Sequence, residues 1–295
     1  MLIRQRACQK VPGDWRISMK LHIYRKSAKI KTQSAGSNII ARHMGIDSFC
    51  SPTIPPKDWE FNEDVFINWG ESSRPDWYED MEKDYCINPP QAVSISANKL
   101  AMMQRFRDND IPTYTFADWF TLYSAAQHYK KHQEKFPLQD KWVARTLLSS
   151  HSGKGIQIFD IYKDEFVKAH LYTALTPLEY ELRIYIVNGK VIDYIQKKKM
   201  SKERLANLGR EQADPIIKTY HNGWVFARNN KIPLTPKMVE ASIAAMQAVG
   251  LDFGVVDIGL NDDDSIHVIE TNSAPGMMHS DISQRFSQAI KEMVE

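Results

Sequence analysis

Apolar positions come in short continuous runs early in the chain, and in helical spacing or strand-like alternation further on. Met19 opens a first predicted strand, Lys20-Leu21-His22-Ile23-Tyr24. After the small-residue segment Ser34-Ala35-Gly36-Ser37, apolar residues Ile39, Ile40 and Met44 keep helical spacing, and Gly45 ends the stretch. Asp64 to Gly70 has a continuous apolar centre and predicts a buried strand. Glu71 to Asp84 is charged and loop-like, and Cys86-Ile87-Asn88-Pro89-Pro90 makes a turn. Residues 1–90 therefore read as an N-terminal arm followed by a small α/β unit.

In residues 91–175 the period changes. Ser96 is a candidate cap for a helix with Lys99, Leu100, Met103 and Phe106 at helical spacing, ended by Asp108-Asn109-Asp110. A second helix is expected from about Trp119 to His132. Lys141 to Thr146 and Ile156 to Phe159 read as strands joined by a glycine-bearing loop. In residues 176–295, Leu182 to Val187 and Val191 to Ile195 flank Asn188-Gly189, a type I′ hairpin signal. Alternation puts Glu181 and Arg183 on one face, and counting across the turn adds Tyr194 and Lys198. Lys197 joins that face only if a bulge intervenes. Lys197 to Arg210 reads as a mobile basic segment. Thr235-Pro236 starts a helix buried through Val239, Ile243, Met246 and Val249 and stopped by Gly250. Asp281 to Glu295 predicts a terminal helix.

Composition narrows the class without naming a chemistry. The chain has 295 residues, 43% of them apolar and 25% charged, enough for two or three modest domains. A net charge of +2 gives no indication of nucleic acid as a partner. No apolar run reaches the roughly 18 residues of a membrane helix. Met1 to Ser18 is polar and basic and lacks the apolar middle of a secretory signal, leaving an arm or a short strand. Cys8, Cys50 and Cys86 are scattered, with no metal-type spacing, so a reducing cytoplasm is the expected compartment.

The residues that point to chemistry lie near the C-terminus. Asp257 ends an apolar run, Asn261 to Ser265 reads as a hairpin loop, and Glu270 and Asn272 sit two apart on the returning strand. Depending on loop length, Asp257 falls opposite Ile269 or Glu270. Two carboxylates and an amide oxygen on a rigid hairpin suit Mg²⁺ (or Mn²⁺), a hard cation commonly shared with nucleotide phosphates. An ordinary acidic hairpin is the alternative. Ser152-Gly153-Lys154-Gly155-Ile156 has the makings of a phosphate cradle, because glycines let backbone N–H groups converge on an anion. It is neither a Walker loop, which feeds a helix, nor a dinucleotide fingerprint. A plain hairpin with a glycine-rich tip competes with this reading. Arg145 lies on the strand leading into that loop, and Lys197-Lys198-Lys199 ends a buried strand.

Taken in order, these segments resemble the ATP-grasp superfamily. They are similar to carboxylate–amine ligases related to ribosomal-protein glutamate ligases, and to similar proteins common in phages. The resemblance runs from about Ile87 to Met277. It implies an α+β (α/β) fold: an N-terminal α/β domain over 1–90, a central subdomain over 91–175 and a C-terminal subdomain over 176–295, with a nucleotide cleft between the last two. On the matching residues, it implies that Lys99 and Arg145 hold ATP phosphate, Arg145 standing where the family usually has lysine. Ser152, Gly153, Lys154, Gly155 and Ile156 correspond to the loop that closes over phosphates. Leu171, Tyr172 and Thr173 correspond to the hinge behind adenine, and Glu181 to the acidic residue that binds ribose or follows the hinge. Arg183 and Lys198 (or Lys197) match cations beside the transferred phosphate, and Asp257, Glu270 and Asn272 match the metal ligands. Arg228 lies in the segment that contacts substrate. The implied reaction is ATP-dependent amide formation through an acylphosphate, with ADP and phosphate released. Small-molecule or peptide carboxylate and amine substrates and a homodimer are the implied partners. An ATP-grasp kinase and a non-catalytic nucleotide-binding protein are the rival readings.

Overall fold

The computed structural model describes residues 21–25, 31–50, 64–75, 78, 86–132, 139–149, 154–229, 231–277 and 279–294. The arm 1–18, Met19 and Lys20, and Ser152 and Gly153 of the glycine-bearing loop lie outside the described residues.

Three sheets form the frame. The first is parallel, in the order β2 (Asp47–Cys50), β1 (Leu21–Arg25), β3 (Val65–Trp69) and β4 (Cys86–Ile87). Helix α1 spans Lys31–Met44, so Ser34 to Ser37, expected to precede the helix, lie inside it. The predicted turn at Asn88 also ties this sheet to the rest of the fold. Asn88 is fully buried at φ +56°; its Nδ2 donates to the Phe253 carbonyl and its Oδ1 accepts from the Asp252 and Phe253 amides.

Two short helices follow where one was expected. Helix α2 spans Pro90–Ala97 and α3 spans Lys99–Asp108, broken at Asn98, whose extended backbone lets its side chain accept from the Leu100 and Ala101 amides. Asn98, and not Ser96, is therefore the cap; buried Ser96 instead bonds Thr271. The second sheet runs β5 (Phe116–Ala117), β8 (Leu171–Ala174), β6 (Lys141–Arg145), β7 (Ile156–Asp160), all antiparallel. Helix α4 (Trp119–His132) covers one face of it through Leu122 and Ala126, packed on Trp142, Ala144, Phe159 and Tyr172. Val143, Arg145, Ile156 and Leu171 alternate onto the other face.

The third sheet is antiparallel: β11 (Trp224–Ala227), β10 (Lys190–Lys199), β9 (Tyr180–Val187), β12 (Phe253–Leu260), β13 (Ile266–Asn272). The Asn188-Gly189 turn carries positive φ at both residues, as a type I′ hairpin requires. Its back packs on α2, α3 and α6 (Pro236–Val249), with Leu182, Ile184, Ile186, Val256 and Ile258 in one core. Thr235 caps α6 and Gly250 ends it in the left-handed region. The segment expected to be mobile is ordered: β10 continues to Lys199, and Ser201 caps helix α5 (Lys202–Asn207). The front of the sheet is half covered. Tyr185, Val187, Ile195, Phe253 and Val255 pack on Phe286 and Ile290 of α7 (Ser280–Val294) and on Trp69 of the first sheet. Among the described residues, no helix is long and apolar enough to cross a membrane.

Candidate active site

Beyond that cover, the same front face turns polar. In β9, Arg183 and Glu181 continue the line of Val187 and Tyr185; in β12, Asp257 follows Val255. Asp257 pairs across the sheet with Arg183 on one side and with Glu270 on the other. A bulge after Asp257 leaves Ile269 unpaired and selects Glu270 from the two expected partners. Val255 pairs with Asn272, so the three oxygen-bearing residues share one face.

Each of these three side chains already has a partner. Arg183 grips Asp257 with two parallel bonds, Nε to Oδ1 and Nη2 to Oδ2, both 2.8 Å, and its guanidinium lies 4.3 Å from the Phe226 ring centre. Lys99 Nζ donates to Glu270 Oε2 at 2.7 Å. Asn272 Oδ1 accepts from the Ala274 amide at 2.9 Å. Burial works against ionised Glu270, but Lys99, Arg183 and Lys197 outweigh it and hold its carboxyl below the usual range. The Arg183 guanidinium is desolvated too, yet Asp257 raises its pKa. Among the described residues, no group of three or more His, Cys, Asp and Glu side chains gathers. The donor set is two carboxylates and an amide, all oxygen, side by side on rigid strands. It fits a divalent cation such as Mg²⁺, with Lys99 and Arg183 now neutralising what that cation would neutralise.

The hairpin question is settled by register. β10 slips by one residue between Val191 and Asp193, so Ile195 faces Arg183 and Lys197 faces Glu181. Lys197 Nζ donates to Glu181 Oε2 at 2.6 Å, on the site face. Lys198, placed there by counting without the bulge, points the other way and donates to the Asn229 carbonyl at 2.7 Å. Glu181 holds a second lysine that sequence reasoning did not find. Lys218 lies 3.4 Å from Glu181 Oε1, donates to the Leu178 carbonyl, and sits 4.9 Å from the Trp224 ring centre. Burial pushes its pKa down against the pull of Glu181. It belongs to an irregular segment with no motif around it, so only the fold brings it in.

Arg228 is on the same face but farther down, beside α7. It donates to Asp193 at 3.1 Å and to Asp281, while Arg285 also donates to Asp193 and Lys231 stands 3.6 Å from it. Tyr185 lies between the two charge groups, its hydroxyl pKa raised to about 12 by burial. Arg228 is thus not in the Arg183–Asp257 cluster.

The glycine-bearing hairpin reaches this cluster through its stem. The Lys99 amide donates to the Leu148 carbonyl at 3.3 Å and Ser149 Oγ donates to the Ala97 carbonyl, while the Lys99 side chain holds Glu270. Tyr114, half-buried and stacked on His267 at 5.4 Å, feels charges from both sheets, Glu181 and Glu270 on one and Arg145 on the other. Gly155 has φ +72°, and a Cβ there would stand 2.8 Å from Thr146 Oγ1. Lys154 is an exposed turn residue beside it, and Ile156 pairs with Arg145. Arg145 Nε is buried without a hydrogen-bond partner among the described residues.

The hinge assignment needs correction. β8 is an interior strand: Leu171, Tyr172 and Thr173 all pair with β6, and Tyr172 and Thr173 pair with β5 as well, so the backbone of Tyr172 and Thr173 is committed to the sheet. Tyr172 points to the α4 side and bonds Val167 and Ala169. The chain crosses between sheets at residues 175–179, where Leu175 donates to Lys141 and Glu179 to Leu260.

A hairpin stem and a carboxylate-bearing strand pair joined from two sheets through Lys99, with a parallel N-terminal sheet beside them, is a recognisable arrangement. The fold is that of the ATP-grasp ligases. D-alanine–D-alanine ligase from Bacillus anthracis superposes with a TM-score of 0.58, at 14% identity, over 94% of this chain and 100% of that one. The ATP-grasp ligase PsnB, complexed with a minimal precursor, gives a TM-score of 0.60 at 12% identity, over 95% and 100%. The macrocyclase MdnC from Microcystis aeruginosa MRC, bound with precursor peptide MdnA, gives 0.54 at 12%, over 93% and 100%. No family model matches the sequence. No curated protein matches it either.

Proposed function

We propose that the chain is an ATP-dependent carboxylate–amine ligase, which phosphorylates a carboxylate and lets an amine displace the phosphate to form an amide. The observation that carries this is the continuous bridge from the stem of the glycine-bearing hairpin through Lys99 to Glu270, beside Asp257 and Asn272. Such a bridge supports a site at which phosphate-binding and metal-binding groups would meet. Likeness in fold to D-alanine–D-alanine ligase, PsnB and MdnC supports a ligase over a kinase.

In this reading Asp257, Glu270 and Asn272 hold a divalent cation, which when bound neutralises charge building on the phosphates. Arg145, with its unpartnered Nε, binds phosphate from the facing sheet. Lys197 is the hairpin lysine at the phosphates, held there by Glu181, and Lys218 braces Glu181 and the crossing segment at Leu178. Arg183 keeps Asp257 oriented. No side-chain nucleophile is needed. Buried Cys86, with a thiol pushed up to about 12 by desolvation, is unsuited to that role.

The test is ADP release with Mg²⁺, ATP and mixtures of carboxylates and amino acids, followed by mass spectrometry. An amide product with matching ADP and phosphate is expected. A phosphorylated product that accumulates without amide would identify a kinase, and ATP binding without turnover on any mixture would identify a binding protein.

A further inference from the structure

The parallel sheet ends against the loop that follows the metal-type ligands, and two hydrogen-bond donors are stranded at that junction. β1 ends at Arg25 and β3 at Trp69, paired neighbours in the sheet. Both lie on the face that carries Ile23 and Ile67 toward α1 and α7. Arg25 Nε and Trp69 Nε1 are each buried with no hydrogen-bond partner among the described residues, although Trp69 is only 1% exposed. A polar N–H buried without an acceptor has lost its hydrogen bond to water and gained none, so two together call for an explanation.

The surroundings supply one. A Cβ on Gly36 of α1 would stand 3.3 Å from Trp69 Nε1 and 2.8 Å from the Pro275 carbonyl. A Cβ on Gly70, at φ +82°, would stand 2.6 Å from Ala274. The glycines keep backbone close to the indole and to the Asn272–Gly276 loop, without side chains in between. Strand C-terminal ends are where α/β sheets place ligands. Both stranded groups only donate, and one is cationic, so the fitting occupant only accepts and is anionic.

We infer that Arg25 and Trp69 form a subsite for a free carboxylate of the substrate, one that anchors it and does not react. This deepens the ligase reading and rests on it for the word substrate. The carboxylate is gripped by the Arg25 guanidinium and accepts the Trp69 N–H, beside the loop that carries Ala274 and Pro275. The substrate class is accordingly an amino acid, dicarboxylic acid or peptide terminus bearing a carboxylate besides the groups being joined.

The experiment is ligand-observed NMR binding of L-alanine, L-glutamate and succinate, each against its methyl ester, with and without Mg-ADP. Wild-type protein should bind at least one free acid at least tenfold more tightly than its ester. Arg25→Gln should lose at least tenfold of that affinity and Trp69→Phe, which keeps the ring and removes the donor, about threefold, while both bind Mg-ADP like wild type. Acid and ester binding alike, no acid binding at all, or unchanged acid affinity in both variants overturns the inference. Failure of wild-type protein to bind Mg-ADP would instead strike the nucleotide reading, and the acid-against-ester comparison would still stand on its own.

Discussion

One face of the five-stranded sheet has two halves with opposite fates. On β9 the same alternation yields Val187 and Tyr185 in one half and Arg183 and Glu181 in the other; on β12 it yields Phe253 and Val255, then Asp257. The apolar half is sealed by Phe286 and Trp69, whose rings meet Phe253 edge-on and stacked. Among the described residues no such helix packs over the polar half, and its charges satisfy one another. Backbone geometry is shared, so the difference comes from what covers each half. The Arg183–Asp257 cluster lies beyond the part of this face that Phe286 and Ile290 of α7 cover.

Four experiments would break or sharpen that contrast. The largest effect is expected at Glu270→Ala: turnover of ATP should fall about a thousandfold, equivalent to about 4 kcal/mol of barrier, with an unchanged circular dichroism spectrum. Retention of more than a tenth of the activity would move the metal site elsewhere. In the sealed half, Phe286→Ala should cost about 3–5 kcal/mol in urea unfolding, because its fully buried ring touches Trp69, Tyr185 and Phe253. A loss under about 1 kcal/mol would mean that α7 is not the seal.

Next comes the pair Lys197→Met and Lys198→Met. The first should raise the KM for ATP about tenfold, matching about 1.4 kcal/mol, and the second should leave it within about twofold. Equal effects would contradict the register set by the bulge. The smallest effect concerns acid. Glu270 has its carboxyl held low in the folded chain, so between that value and the ordinary glutamate value the unfolded chain binds more protons. Stability from Glu270 is therefore complete above the ordinary value and is lost as pH falls through the lowered one. Lys99→Met should flatten that acid decline in unfolding midpoints; an unchanged slope would show that Lys99 does not set it.

Much of this architecture could be read from residue order. Asn188-Gly189 specified the hairpin, Thr235-Pro236 and Gly250 bounded α6, and the spacing of Asp257, Glu270 and Asn272 placed three oxygens on one face. Local geometry sufficed in each case. Lys197 was different: a single unpaired residue near Ile192 reverses every side chain beyond it, and nothing in Val191-Ile192-Asp193 announces the slip. Lys218 was invisible because its partners, Glu181 and Leu178, are some 40 residues away along an irregular path. The crossing at 175–179 was misplaced because Leu171 to Thr173 carry strand character, and whether a strand is interior depends on neighbours the sequence does not order. Arg228 shared the site's face, but a buried Asp193 had first claim on it.

The ammonium of Lys99 acts as a stand-in. While it sits on Glu270, the carboxylate is neutralised without any ion from solution, and the stem of the hairpin is tethered through the same residue. An incoming divalent ion would evict it, and the displaced lysine would then need an anion nearby, which a nucleotide's phosphates provide. Ion and nucleotide would then be expected to arrive as a neutral exchange of partners, each poorly welcomed without the other.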